Sequence, residues 1–303
     1  IRDSDYGNAR IAAMRGRLLD RAAVSRLGES ATPSVMVAQL ERAPDWAPIM
    51  RRIAPLGADP SVELETAIEY HRSARLGALP PFYDGRDRHF VEVLVMPLDT
   101  ERAVGLLRRR RAGEPAESIA STTIPGALLD AAAAAAMARA PATAAFLRPL
   151  VERDLISRQA AAEMVAAETR GADSAEAESM LRAAIEQARW QRVDVRGGEA
   201  AALRQLLEHE RAAQEATIVE LTEAGPTLAT VMDRSMRLAA LDALSALGRR
   251  DPLGIGAVAG YVAAVEVQAI RLRAMIARVR ARWTVDDAAP YLARNERPAW
   301  LAW

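Results

Sequence analysis

Residues 174–189 read SAEAESMLRAAIEQAR, and this stretch decides the fold class. Its apolar side chains recur at intervals of three and four, which places Ala177, Leu181, Ala184 and Ala188 on one face. That spacing fits the turn of an α-helix, about 3.6 residues, and not the alternation of a β-strand. The stretch therefore predicts an amphipathic helix.

The same spacing recurs along the chain. Further apolar faces are formed by Ile11, Met14 and Leu18, by Leu64 and Ile68, and by Leu238, Leu241 and Leu244. The nearest approach to an alternating pattern is residues 90–95, which we also assign to a helix. An all-α fold follows.

Prolines and glycines mark the expected helix ends. The dipeptides Thr32-Pro33, Asp59-Pro60 and Glu114-Pro115 each place a polar residue before a proline that suits a first helical turn. The glycines that follow periodic stretches, where helices end most easily, are Gly28, Gly77, Gly113, Gly171 and Gly248. Breaks at residues 79–85 and 195–198 are expected to be short joints.

Composition favours closely packed helices and protein partners. The chain has 303 residues, of which 50% are hydrophobic and only 4% aromatic, so Ala, Leu, Val, Ile and Met must build the core. The 40 basic residues, all arginine, equal the 40 acidic ones. No surplus of one sign exists to attract nucleic acid.

Several kinds of chemistry are excluded by the residue types. The chain has neither cysteine nor lysine, which excludes thiol catalysis and a phosphate-binding loop of the Walker type. His71, His89 and His209 fall on separate predicted helices, so we expect no metal site. We expect no catalytic residues and no cofactor.

Two further features each have a structural interpretation. Gly256 and Gly260 lie four residues apart and predict a face where two helix backbones approach closely. The run Arg108–Arg111 is either a solvated helix end or a contact for anionic lipid or an acidic partner. The longest apolar run, residues 252–265, is shorter than the ~20 residues of a membrane span, and the chain is expected to be soluble.

An internal repeat emerges when the chain is shifted by 100 positions. Leu106-Leu107 then aligns with Leu206-Leu207, and the Pro125-Gly126 breaker aligns with Gly225-Pro226. The repeat predicts about three similar helical units.

Three stretches resemble the C-type rotor component of A-type and V/A-type rotary ATPases, the counterpart of the d-type component in vacuolar enzymes. They are residues 6–19, residues 98–126 and residues 251–273. The positions that carry the resemblance, and that are candidate interface residues, are Tyr6, Asn8, Arg10, Arg15, Asp99, Arg108, Gly254, Gly256, Tyr261, Glu266 and Arg273. The chain departs from the family pattern at Arg102, Val265, Gln268 and Arg271.

The resemblance implies three helical domains around a pseudo-threefold axis, forming a funnel with a central cavity. The expected domains are residues 1–125 with the long C-terminal helix, residues 126–225, and residues 226–303. It also implies a non-catalytic central-stalk rotor subunit that joins the shaft, made of the D and F subunits, to the membrane proteolipid ring on the cytoplasmic face of the membrane. Within that complex the chain would be a monomer without a membrane span.

A second hypothesis needs only the helical periodicity and the repeat. A helical-repeat adaptor with an unrelated protein partner would show both features. The partner therefore decides between the two.

Overall fold

In a computed structural model the described part of the chain comprises residues 4–53, 59–193, 201, 204–205, 207–208, 241, 244–252 and 254–282. Its helices are α1 (Ser4–Arg15), α2 (Arg21–Gly28), α3 (Pro33–Leu40), α4 (Ala47–Ile53), α5 (Pro60–Gly77), α6 (Gly85–Arg111), α7 (Ala116–Thr122), α8 (Ala131–Ala138), α9 (Thr143–Glu152), α10 (Arg158–Thr169), α11 (Ser174–Val193) and α12 (Gly256–Ala281). A 3-10 turn occupies Pro80–Phe82. These residues contain no strand, which confirms the all-α prediction.

The chain forms two compact units, residues 1–75 with 205–303 and residues 76–204. The three domains expected from the resemblance stay a prediction, because residues 209–240, which span the boundary between the second and third, lie outside the described part.

The first unit is built around α12, which packs against α1, α2 and α3. Its long apolar face joins the shorter helices in one core. The core residues include Leu27, Met36, Leu40, Trp46, Met50, Leu64, Ile68, Leu272 and Ile276.

The second unit is built around α6 and α11, which pack side by side. Arg111 near the end of α6 contacts Asp173 just before α11, whereas Val93 contacts Arg189 near the end of α11, so the two helices are antiparallel. Residues 90–95 lie inside α6, which confirms their assignment to a helix. The core residues include Met96, Leu107, Leu129, Phe146, Leu150, Leu181 and Ile185.

Most of the expected helix ends are confirmed. Thr32 caps α3 by accepting the Val35 N–H, and Asp59 accepts the Ser61 N–H at the start of α5. Gly113 has φ +75°, a conformation that costs an L residue energy and that ends a helix. Glu114 is different, because its carboxylate binds Arg109 instead of capping α7.

The glycine inside α6 gives a stability prediction. Gly105 has open space where a Cβ would be, and its φ is ordinary for a helix. Gly105→Ala should therefore raise the free energy of unfolding by about 0.5–1 kcal/mol, measured by urea denaturation. Gly113→Ala is the matched control, with equal space but a positive φ, and should lower it by about 1 kcal/mol. Equal shifts in one direction would contradict this account.

Candidate functional site

Asp99 in α6 holds the loop between α7 and α8. Its side chain is fully buried, and its Oδ1 accepts N–H groups of Leu128 at 3.0 Å and Leu129 at 2.8 Å. The loop closes on itself through the Gly126 N–H, which donates to the Leu129 carbonyl at 2.8 Å. The carboxylate thus satisfies backbone donors that burial would otherwise leave unpaired.

Gly126 is required by the same contact. A Cβ at this position would lie 2.0 Å from Asp99 Oδ1 and 3.3 Å from its Cα. Only a residue without a side chain allows the loop to approach α6 this closely. The Asp and Pro-Gly positions of the middle motif, 27 residues apart, therefore form one structural lock.

Burial raises the pKa of Asp99 to about 6, even though the backbone N–H groups and the charge of Arg102 both lower it. The carboxyl is thus ionised at neutral pH but binds a proton more tightly when folded than when unfolded. Stability from this group is complete below the usual carboxyl range and is lost as the pH rises through about 6.

That titration predicts a pH effect. Between pH 4 and pH 6 the free energy of unfolding of the wild-type chain should fall relative to that of Asp99→Asn, which cannot ionise. Urea denaturation of both proteins across this range measures the difference. A difference that does not change with pH would show that Asp99 does not titrate there.

The start of α12 has a similar arrangement of carboxylate and glycine. Asp251 Oδ2 accepts the Gly256 N–H at 3.2 Å, and a Cβ on Gly254 would lie 2.1 Å from the same oxygen. Gly254 and Gly256 are both buried. These two motif residues therefore serve the first turn of α12.

Gly260 marks a close approach of two helix backbones, as its spacing with Gly256 predicts. A Cβ on Gly248 would lie 2.7 Å from the Gly260 Cα, and a Cβ on Gly256 would lie 2.8 Å from the Leu247 carbonyl oxygen. The prediction that Gly248 ends a helix is wrong, because it lies within the helical residues 244–250. Its lack of a side chain serves packing instead.

Ion pairs join α5 to α12. Buried Arg72 donates to Glu266 at 2.7 Å, and Arg273 binds Glu65 at 3.2 Å and also binds Glu69. The α5 partners lie at positions 65, 69 and 72, which is one helical face, and their order shows that the two helices are antiparallel. Sequence reasoning missed these α5 residues, although the polar stripe was a visible signal.

The other terminal-motif residues occupy different surroundings. Tyr261 is fully buried, and burial raises the pKa of its hydroxyl to about 12. Tyr6 is 62% exposed on α1, where Arg10 and Arg15 are exposed and Asn8 is half-buried. The exposed members of α1 are thus the ones that a partner could reach.

The arginine run ends α6, as predicted, but its side chains bind the protein itself. Arg108 makes two hydrogen bonds to Glu178, at 3.1 Å and 2.6 Å, and Arg111 donates to the Asp173 carbonyl at 2.7 Å. Arg110 lies over the Phe146 ring at 5.7 Å. The interpretation as a merely solvated helix end needs this correction, because the run also fastens α6 to its neighbours.

The histidines do not form a metal site in the described residues. His71 stacks on Trp46 with ring centroids 4.2 Å apart, and burial lowers its pKa to about 3, so its ring is neutral. His89 lies 3.6 Å from Glu92, and His209 lies outside the described part. No group of three histidine, aspartate or glutamate side chains there could hold a metal ion.

None of the helices that the structure describes is long and apolar enough to cross a lipid bilayer. In these helices the buried polar motif residues hold backbone and neighbouring helices, as Asp99, Asp251 and Glu266 each show. The fold and the site together define an all-helical structural protein. The chain belongs to the ATP synthase (C/AC39) subunit family, whose model matches residues 7–219, and it is thus a subunit of the V/A-type ATPase class.

The family match includes the first and middle motifs and ends before the third, at residues 251–273. No curated protein sequence matches the chain significantly.

Proposed function

We propose that this chain is the rotor coupling of a V/A-type ATPase, joining the shaft of the D and F subunits to the proteolipid ring for ion transport. The family match over residues 7–219 is the observation that carries the proposal. The chain itself catalyses nothing in this role, and it lies at the cytoplasmic face of the membrane as part of the assembly.

The packing of each unit supports a role in transmitting torque. A rotor part must resist deformation, and closely packed interiors have low compressibility. In the first unit the α5–α12 ion pairs cross-link two long helices, and glycines bring backbones into direct contact. In the second unit Asp99 holds a loop that would otherwise be free to shift.

The exposed face of α1 is the proposed contact surface within the terminal motif. Tyr6 offers an aromatic ring and Arg10 a guanidinium, and these residue types are enriched at protein interfaces. Rim charges of this kind would set the rate of association and its salt dependence.

Binding of the purified full-length chain to the purified D–F pair tests the proposal, with calorimetry as the measurement. We expect a stable complex that Tyr6→Ala combined with Arg10→Glu weakens at least tenfold, as interface aromatics do. Arg148→Glu, an exposed change on α9, is the matched control and should bind like the wild type. If neither D–F nor the proteolipid ring binds, the adaptor hypothesis replaces this one.

A further inference from the structure

Pro97 interrupts the hydrogen bonding of α6. It lies inside the helix, and because proline has no N–H, the carbonyl of Val93 loses its partner from the next turn. Val93 is fully buried, so water cannot replace that partner. Pro149 in α9 frees the carbonyl of Ala145, which is only half-buried and therefore within reach of solvent.

The guanidinium of Arg189 supplies the missing donor. Its Nε lies 2.9 Å from the Val93 carbonyl oxygen, and the residue is only 5% exposed. A buried arginine needs hydrogen-bond acceptors, and a carbonyl left free by proline is one of the few that a helix interior offers. Arg189 on α11 thus completes the hydrogen bonding of α6.

The contacts next to this one converge on the same turn. Arg192, one turn further along α11, lies 3.6 Å from Glu92 and 3.1 Å from the sulfur of Met96. The Thr100 hydroxyl donates to the Met96 carbonyl at 3.2 Å, a side-chain bond that often bends helices. The turn that Pro97 weakens is therefore the turn that α11 holds.

We propose that residues 93–97 of α6 form a conformational joint that Arg189 holds closed. When the guanidinium leaves Val93, residues 85–96 and 97–111 move as separate helices, each with its own packing. The joint belongs to the fold of this chain and does not depend on the proposed function.

Hydrogen exchange of the full-length chain tests the joint. The amides of residues 98–100 donate across Pro97 to the preceding turn, so they exchange when the joint opens. In Arg189→Met we expect them to exchange about tenfold faster or more, since a hydrogen bond to a charged group is lost. Amides of residues 104–108, beyond the joint, should keep their wild-type rates.

Pro97→Ala provides the decisive background, because an alanine N–H returns the missing donor to Val93. There, Arg189→Met should accelerate residues 98–100 less than about threefold. Arg189→Lys, which keeps one donor, should be intermediate in the wild-type background and needs no change at Pro97. Glu186→Gln controls for the ion pair that Arg189 makes at 3.6 Å.

Two results would overturn the joint. One is an acceleration by Arg189→Met that is equal at residues 98–100 and 104–108, which would indicate general destabilisation. The other is an acceleration that is the same in the Pro97→Ala background as in the wild-type background, or that Glu186→Gln reproduces.

Discussion

Replacing Gly126 by alanine is expected to lower the free energy of unfolding by about 3–5 kcal/mol, measured by urea denaturation. The new Cβ would lie 2.0 Å from Asp99 Oδ1, far inside contact distance. Either the loop moves away from α6 or the carboxylate rotates and leaves the Leu128 and Leu129 N–H groups unpaired in the core. Each unpaired buried donor costs about 1–3 kcal/mol.

A double-mutant cycle with Asp99→Ala tests the reason for that loss. Asp99→Ala should itself be strongly destabilising, but it removes the atoms that the alanine at position 126 would meet. The second substitution should then add less than about 1 kcal/mol. Fully additive losses would show that the two residues do not act through their contact.

Gly248→Ala should destabilise the first unit by about 3 kcal/mol, because its Cβ would lie 2.7 Å from the Gly260 Cα and 2.9 Å from the Gly260 nitrogen. Both atoms belong to backbone, so no side-chain rotation relieves the clash. The helices must separate, and the packing around them is lost.

Gly260→Ala is the matched control on the opposite side of the same contact. Its Cβ would lie 3.4 Å from the Gly248 Cα, an ordinary contact, and it should cost less than about 1 kcal/mol. Urea denaturation of both variants measures the difference. Equal losses would contradict the asymmetric contact described here.

Local patterns predicted the helices and most of their ends, since these depend on neighbours in the sequence. Residues 90–95 were correctly assigned to a helix although their pattern approaches alternation. Gly248 was wrongly assigned to a helix end, because a glycine near the end of an apolar run looks the same whether it stops the helix or packs against another. Only the position of Gly260 distinguishes the two cases.

The candidate site was predicted less completely, because its contacts span long sequence separations. Asp99 and Gly126 were known only as parts of a family motif, and the sequence does not show that the carboxylate binds the N–H groups that follow Gly126. Arg72 was missed because its partner, Glu266, lies 194 positions away. The membership of Tyr6 and Arg10 in an interface stays a prediction.

The rotor-coupling role is tested most directly by recovering the tagged full-length chain from host membranes in detergent and identifying the bound proteins by mass spectrometry. The proposal predicts that the D and F subunits of the ATPase and the proteolipid remain bound together. A preparation from which all three are missing, while the tagged chain is folded and abundant, would contradict it.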